Sequence, residues 1–201
     1  VSELLSFGQL GFHHIVSPDA LDHILFLLAL AAIYQGRTWR RSLWVISAFT
    51  VGHSVTLALA ATGILLVPQQ ITEFLIPLTI VATGIENVVV RARVERAPRG
   101  RYRPLFAGIF GLVHGSGFAS YLQQLFAGSV VVPLLGFNLG IEVGQIVVLA
   151  LAASSLGVID RILVGSRIPA NAASAFRIRV VAVSLIVVAV ATHMAAVRFP
   201  R

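Results

Sequence analysis

The sequence predicts an all-α integral membrane protein: a six-transmembrane-helix bundle with a short outer N-terminal segment, forming a single transmembrane domain over residues 1–201. Three observations predict it. Hydrophobic residues make up 57% of the chain and charged residues only 11%, about half the charge of a soluble domain. The mean hydropathy is +0.91, and the apolar residues gather into runs long enough to cross roughly 30 Å of hydrocarbon. All fifteen positive residues are arginines, and thirteen of them lie in three connections between those runs. Placed so, the net charge of +7 reports membrane topology and supports no nucleic-acid role. The absence of cysteine excludes a disulfide framework and thiolate ligation. A metal would have to be held by His, Asp, Glu, Asn or backbone, with Met194 the one sulfur.

Residues 1–16 are mildly amphipathic and too short to span, so they read as an outer segment at the surface or dipping back into the bundle. A signal peptide removed before Val1 would suit an outer terminus that carries Glu3. The first span covers about 18–35. Ser17 suits its N-cap, Pro18 its first position and Asp19 the positive end of its dipole, and Gly36 stops it. Arg37, Arg40 and Arg41 follow, with Trp39 and Trp44 as interfacial anchors. The second span is about 42–67 and turns at Pro68-Gln69-Gln70; the third is about 71–90. The most basic stretch, Arg91 to Arg103, precedes the fourth span at about 104–126. A neutral turn at Gly128-Ser129 leads to the fifth, about 130–158, and the basic connection Asp160 to Arg179 to the sixth, about 180–197. The arginines after spans one, three and five place those connections in the cytoplasm. The expected location is a bacterial inner (plasma) membrane with both termini outside.

The start of the first span concentrates chemistry. His13, His14, Asp19, Asp22 and His23 crowd one helix threshold, and in a helix Asp19, Asp22 and His23 share one arc. Imidazole with carboxylate suits Zn²⁺, Ni²⁺ or Co²⁺. The plainer alternative is a capped helix end with a solvated polar cluster. Four more ionisable residues fall well inside spans: His53, Glu86, His114 and Glu142. Any one could merely hydrogen-bond neighbouring helices, but four on four helices point to function. His193 reads as an interface residue. His53 and Glu86 lie about equally far from one turn, and His114 and Glu142 from another, so each His is placed to face its Glu across a hairpin. Phe49-x3-His53 matches Phe110-x3-His114, and Gly84-Ile85-Glu86 matches Gly140-Ile141-Glu142, which predicts a parallel repeat of spans two–three and four–five. Gly136, Gly140 and Gly144 form a small-residue stripe, and Gly108, Gly111, Gly115 and Gly117 surround His114, so close helix packing is expected there. Asn138 and Gln145 flank Glu142, and Thr50, Ser54 and Thr56 surround His53, as supporting hydrogen-bond partners.

The run Gly11-Phe12-His13-His14-Ile15…Asp22-His23-Ile24-Leu25-Phe26 resembles the opening of the HupE/UreJ family, its second subgroup above all. So do Phe49-Thr50-Val51-Gly52-His53, Phe110-Gly111-Leu112-Val113-His114-Gly115-Ser116-Gly117 and Phe137-Asn138-Leu139-Gly140-Ile141-Glu142. The resemblance implies a nickel or cobalt permease acting as a secondary transporter. It maps the family's His-x5-Asp-His motif onto His14, Asp22 and His23, with seven residues here between His14 and Asp22. The excess includes Asp19, so either Asp19 joins the site or His14 leaves it. The His-Gly element maps onto His114-Gly115, without the His and Glu that follow in the fuller pattern, which leaves Zn²⁺ or another divalent metal open.

The reading that follows is a permease for a divalent transition-metal ion, with the lipid bilayer and the ion as its partners. His14, Asp22 and His23 capture the ion outside, with Asp19 as a further candidate. His53, His114 and Glu142, with Glu86 as a further candidate, line a midplane site. The alternative is an intramembrane metal-dependent hydrolase, with Glu142 or Glu86 as general base. A third reading, a b-type haem protein, rests on His53 and His114 lying at similar depth.

Overall fold

The computed structural model describes residues 2–33, 39–65, 68–92, 102–125, 130–165 and 172–200, and among them the secondary structure is wholly helical. The helices are α1 (Ser2–Val16), α2 (Leu21–Ile33), α3 (Trp39–Ala61), α4 (Gln69–Ala92), α5 (Arg103–Leu125), α6 (Val131–Gly165) and α7 (Ala172–Val197). Among the described residues α3, α4, α6 and α7 are each long and apolar enough to cross a membrane. The pair α1 and α2 passes the same test only together, bent by 70° at its junction. The described residues thus make an all-helical integral membrane protein, with four individually sufficient spans among them.

The expected first span is described only in part. Up to Ile33 α2 has 13 residues, a rise of about 20 Å against roughly 30 Å of hydrocarbon, and 34–38 lie outside the described residues. Its residues from Leu25 to Leu27 and from Ala29 to Ala32 are buried against other helices, so its apolar character answers to protein on every side. α1, expected as a surface segment or a dip into the bundle, packs along α6 with Gly11 and Ile15 buried. The predicted cap moves as well. The Ser17 amide donates to the His13 carbonyl and so closes α1, while the first bond of α2 runs from the Ile24 amide to Ala20. Asp19 sits exposed in the turn between them, its amide 3.3 Å from Ser17 Oγ, and does not share a helical arc with Asp22 and His23. At the other end of the chain, helix continues through stretches that read as connection. α6 extends to Gly165, α7 is helical from Ala172, and within it Arg179 is buried rather than solvated. Its guanidinium binds the Asp160 carboxylate, reaches the Ala32 carbonyl at 3.2 Å and lies 4.7 Å from the centre of the Phe176 ring. Most of the arginine-rich stretch after α4 (93–101), together with the expected stops and turns at Gly36 and Gly128-Ser129, lies outside the described residues.

Glycine decides how the helices pair. α3 lies along α5, α1 along α6 and α4 along α7. A Cβ on Gly52 would stand 2.0 Å from the Gly108 carbonyl oxygen, and one on Gly111 would stand 2.1 Å from that of Phe49. In the other pair, Gly140 would meet the Gly8 oxygen at 1.9 Å and Gly11 that of Phe137 at 2.0 Å. Backbone therefore touches backbone in both pairs. Followed along the chain, these contacts make α1 parallel to α6 and α3 parallel to α5. α4 runs against α5, with Thr72 beside Ser116 and Glu86 beside Arg103, and against α7, with Phe74 near Phe199 and Gly84 near Ser184. The Asp160–Arg179 pair sets α6 against α7. So α3, α5 and α7 share one direction, and α1, α4 and α6 the other.

The two locked pairs also share a register. Gly8-x2-Gly11-x2-His14 on α1 reads as Gly108-x2-Gly111-x2-His114 on α5, and Phe49-x2-Gly52 on α3 reads as Phe137-x2-Gly140 on α6. The pair α1/α6 thus repeats the pair α5/α3 in the opposite sense, an inverted arrangement of the kind transporters use. This replaces the parallel hairpin repeat expected from sequence, because α3 and α5 are partners within one pair rather than copies of each other. α2 stands outside the correspondence.

Candidate metal centre

Four helices deliver four imidazoles to one place. His14 comes from the last turn of α1, His23 from the first turn of α2, and His53 and His114 from the middle of α3 and α5. The ring of His14 lies 4.9 Å from that of His23 and 6.1 Å from that of His53, while His23 lies 6.2 Å from His53 and 5.3 Å from His114. One ligand nitrogen from each of His14, His23 and His53 lies within 4.8 Å of the others. His23, His53 and His114 are 5%, 0% and 2% exposed, so these are interior groups.

Hydrogen bonds prepare the lone pairs. Asp22 Oδ1 accepts from His23 Nδ1 at 3.0 Å, which leaves Nε2 as the free acceptor nitrogen of that ring. Thr79 Oγ1 donates to the Ile76 carbonyl at 2.7 Å, so toward His114 Nε2, 3.0 Å away, it accepts, and the lone pair of that ring falls on Nδ1. Among the described residues, His23 Nε2, His114 Nδ1 and both ring nitrogens of His53 are buried without a hydrogen-bond partner. An unpartnered buried polar group costs about 1–3 kcal/mol, so several in one cluster call for a ligand that satisfies them together. Neutral imidazole nitrogens suit a borderline divalent ion.

The cluster is reached from one side. A cavity of about 480 Å³ is lined by His13, Asp19, Glu73 and Arg198 among others, and His14, Asp22, His23 and His114 also line it. Opposite the cavity the aromatic rings close in. Phe49 lies 6.0 Å from the His23 ring and 5.0 Å from that of His114, and Phe26 stacks on Phe49 at 4.9 Å.

The sequence-predicted candidates separate here. His14, His23, His53 and His114 converge, and Asp22 orients His23. His14 stays with the cluster while Asp19 remains at the cavity wall, so the two-residue excess in the motif is taken up by the bend. Glu142 stands apart from the three-histidine group and accepts a hydrogen bond from Ser47 at 2.7 Å. Glu86 pairs with Arg103 at 3.0 Å. The expected His–Glu pairing across hairpins is not what the helices form, since α4 packs on α7, α5 and α2 and offers His114 a threonine. Gln145 accepts from Thr50 at 3.0 Å and His193 is exposed. Sequence reading missed Thr79, Glu73 and Arg198. A hydroxyl inside a span is too common a signal to single out Thr79, and only the fold puts Glu73 and Arg198 at the cavity.

The Asp22 contact makes a prediction. Asp22→Asn is expected to weaken Zn²⁺ binding by about 10- to 100-fold, because an amide no longer enforces the tautomer of His23. Competition against a chelating dye measures it, and equal affinity in the variant would leave Asp22 without that role.

A helical membrane protein with three buried histidines and a half-buried fourth, clustered beside a cavity, is, by fold and chemistry, equipped to hold a transition metal within its bundle. A family model described as HupE / UreJ protein matches residues 1–198, and the chain belongs to that family, which is associated with metal transport. Among curated proteins and among solved structures, nothing matches the chain.

Proposed function

We propose that the protein is a permease that moves a divalent transition-metal ion across the membrane, nickel or cobalt first and zinc next. The observation that carries this reading is the group His14, His23 and His53, whose ligand nitrogens lie within 4.8 Å of one another, with His14 and His23 lining the cavity. His114 completes a four-nitrogen set, and Asp22 positions His23. Asp19 and Glu73 on the cavity wall draw the cation inward. Ligand nitrogens of a tetrahedral ion lie roughly 3.3 Å apart, so binding would draw the imidazoles inward by about an ångström. Glu142 is proposed as a support of the bundle rather than a ligand, and Glu86, paired with Arg103, as no part of this nitrogen site.

The hydrolase alternative requires a carboxylate beside the metal to activate water. The two assigned to that role are held by Ser47 and Arg103, which favours transport over catalysis. Six crossings in one transmembrane domain, with α1 and α2 as a single bent crossing and both termini outside the inner membrane, fit the arginine distribution.

Proteoliposomes holding a fluorescent metal indicator test the reading. Uptake of Ni²⁺, Co²⁺ or Zn²⁺ that saturates with concentration and disappears in His53→Ala is the expected result. Tight binding with no flux in any of the three would remove transport. In the same vesicles, a unique cysteine placed by Ala97→Cys should react only from the cytoplasmic face, and reaction from the exterior alone would invert the topology.

A further inference from the structure

Between the histidine floor and the far end of the bundle stand two thin layers. The first is aromatic. Phe26 stacks on Phe49 and lies 6.4 Å from the His114 ring. Beyond it a small void of about 20 Å³, walled by Phe26, Leu30, Thr83, Phe106 and Phe110, is roughly large enough for one water. The second layer is ionic. Glu86 and Arg103 line that same void and pair at 3.0 Å, with Arg103 buried. Arg103 also donates to Asn87 Oδ1 at 3.2 Å, and Asn87 donates to the Ala29 carbonyl of α2 at 2.8 Å. The ion pair is thereby tied to the helix that carries Asp22 and His23.

We propose that the Arg103–Glu86 ion pair, tied to α2 through Asn87, is the inner gate of the ion's path, closing the route from the histidine floor past Phe26 and parting for the ion to leave. The inference deepens the permease reading and rests on it. A guanidinium in the route of a cation is an electrostatic barrier, as arginine is in other pores. Swung aside, it uncovers the Glu86 carboxylate, a ligand for the departing ion. Stability alone is a weak reason for the pair, since a buried ion pair commonly holds a bundle no better than apolar side chains of similar volume. The link through Asn87 gives the gate a cause for opening, because a shift of α2 when the ion binds moves the Ala29 carbonyl on which Asn87 rests.

The chain has no cysteine, so Thr83→Cys places a single thiol in the wall of the void. Its reaction with a cationic methanethiosulfonate is followed in detergent, without metal, alone and combined with Arg103→Gln or Glu86→Gln. Either gate substitution is expected to speed labelling at least about tenfold by raising the open population. A control thiol from Ser184→Cys, buried where α4 meets α7, should keep its rate. Exchanging the two charges, Glu86→Arg with Arg103→Glu, should restore protection. Unchanged rates in whichever gate variant folds would overturn the gate, as would equal acceleration at the control thiol. Ion flux in vesicles with unchanged Thr83→Cys rates keeps the permease and dismisses the gate. Faster labelling with no flux of any metal keeps a gated route and dismisses the permease.

Discussion

Replacing His23 by alanine is expected to lower the affinity for Zn²⁺, Ni²⁺ and Co²⁺ by at least about a hundredfold, more than the loss of an outer partner such as Asp22. His23 is the hub of the cluster, with His14, His53 and His114 all within 6.2 Å of its ring. If one ion is shared, His53→Ala in the His23→Ala background should cost less than it does alone, because the ion's coordination is already broken. Titration calorimetry on the two single variants and the double variant reads both effects. Stability should move the other way. His53 is fully buried, with neither ring nitrogen bonded among the described residues. His53→Leu should therefore stabilise the metal-free protein by up to about 1–2 kcal/mol while it removes binding. A histidine kept only for packing would show the reverse: lower stability and unchanged metal affinity.

The second large effect concerns the glycines. Gly52→Ala would put a methyl group 2.0 Å from the Gly108 oxygen, and Gly11→Ala one 2.0 Å from the Phe137 oxygen. Both obstacles are backbone in a helix, so neither can swing away as a side chain would. Each substitution is expected to cost about 3 kcal/mol or more, at or beyond the upper end of ordinary overpacking, and to pull apart the helices that carry the histidines. Gly157, with nothing within 4 Å of its hypothetical Cβ, provides the contrast. Gly157→Ala should be neutral or stabilising by up to about 1 kcal/mol. Thermal unfolding in detergent compares the three. Melting temperatures for Gly52→Ala and Gly11→Ala as high as that for Gly157→Ala would show that the helices do not touch through their backbones.

The sequence displayed the chemistry of the site more openly than its geometry. His53 and His114 stood out because an imidazole inside a span is costly, and both reach the cluster. Glu86 and Glu142 stood out for the same reason and do not, since depth along a helix fixes height but not the face presented. Arg103 and Arg179 took the carboxylates of Glu86 and Asp160, and two arginines counted as topology signals proved to be buried. The bend at Ser17–Ala20 was hidden because Ser-Pro-Asp reads equally well as the start of one long helix. The glycines were legible as contact residues, but their partners were not. Gly108 and Gly111 find α3, and Gly136 and Gly140 find α1, which no spacing in one chain announces.

The glycine locks bear on how the ligands are carried. His53 and His114 ride on α3 and α5, whose mutual distance is set by backbone against backbone, so these two move as one piece. His14 belongs to the other locked piece, α1 with α6, and His23 to α2, which belongs to neither. The four imidazoles are therefore borne by three separate carriers, and no carrier holds more than two of them. In the permease proposed above, an ion shared by these nitrogens would act as a clasp that fastens the three carriers together.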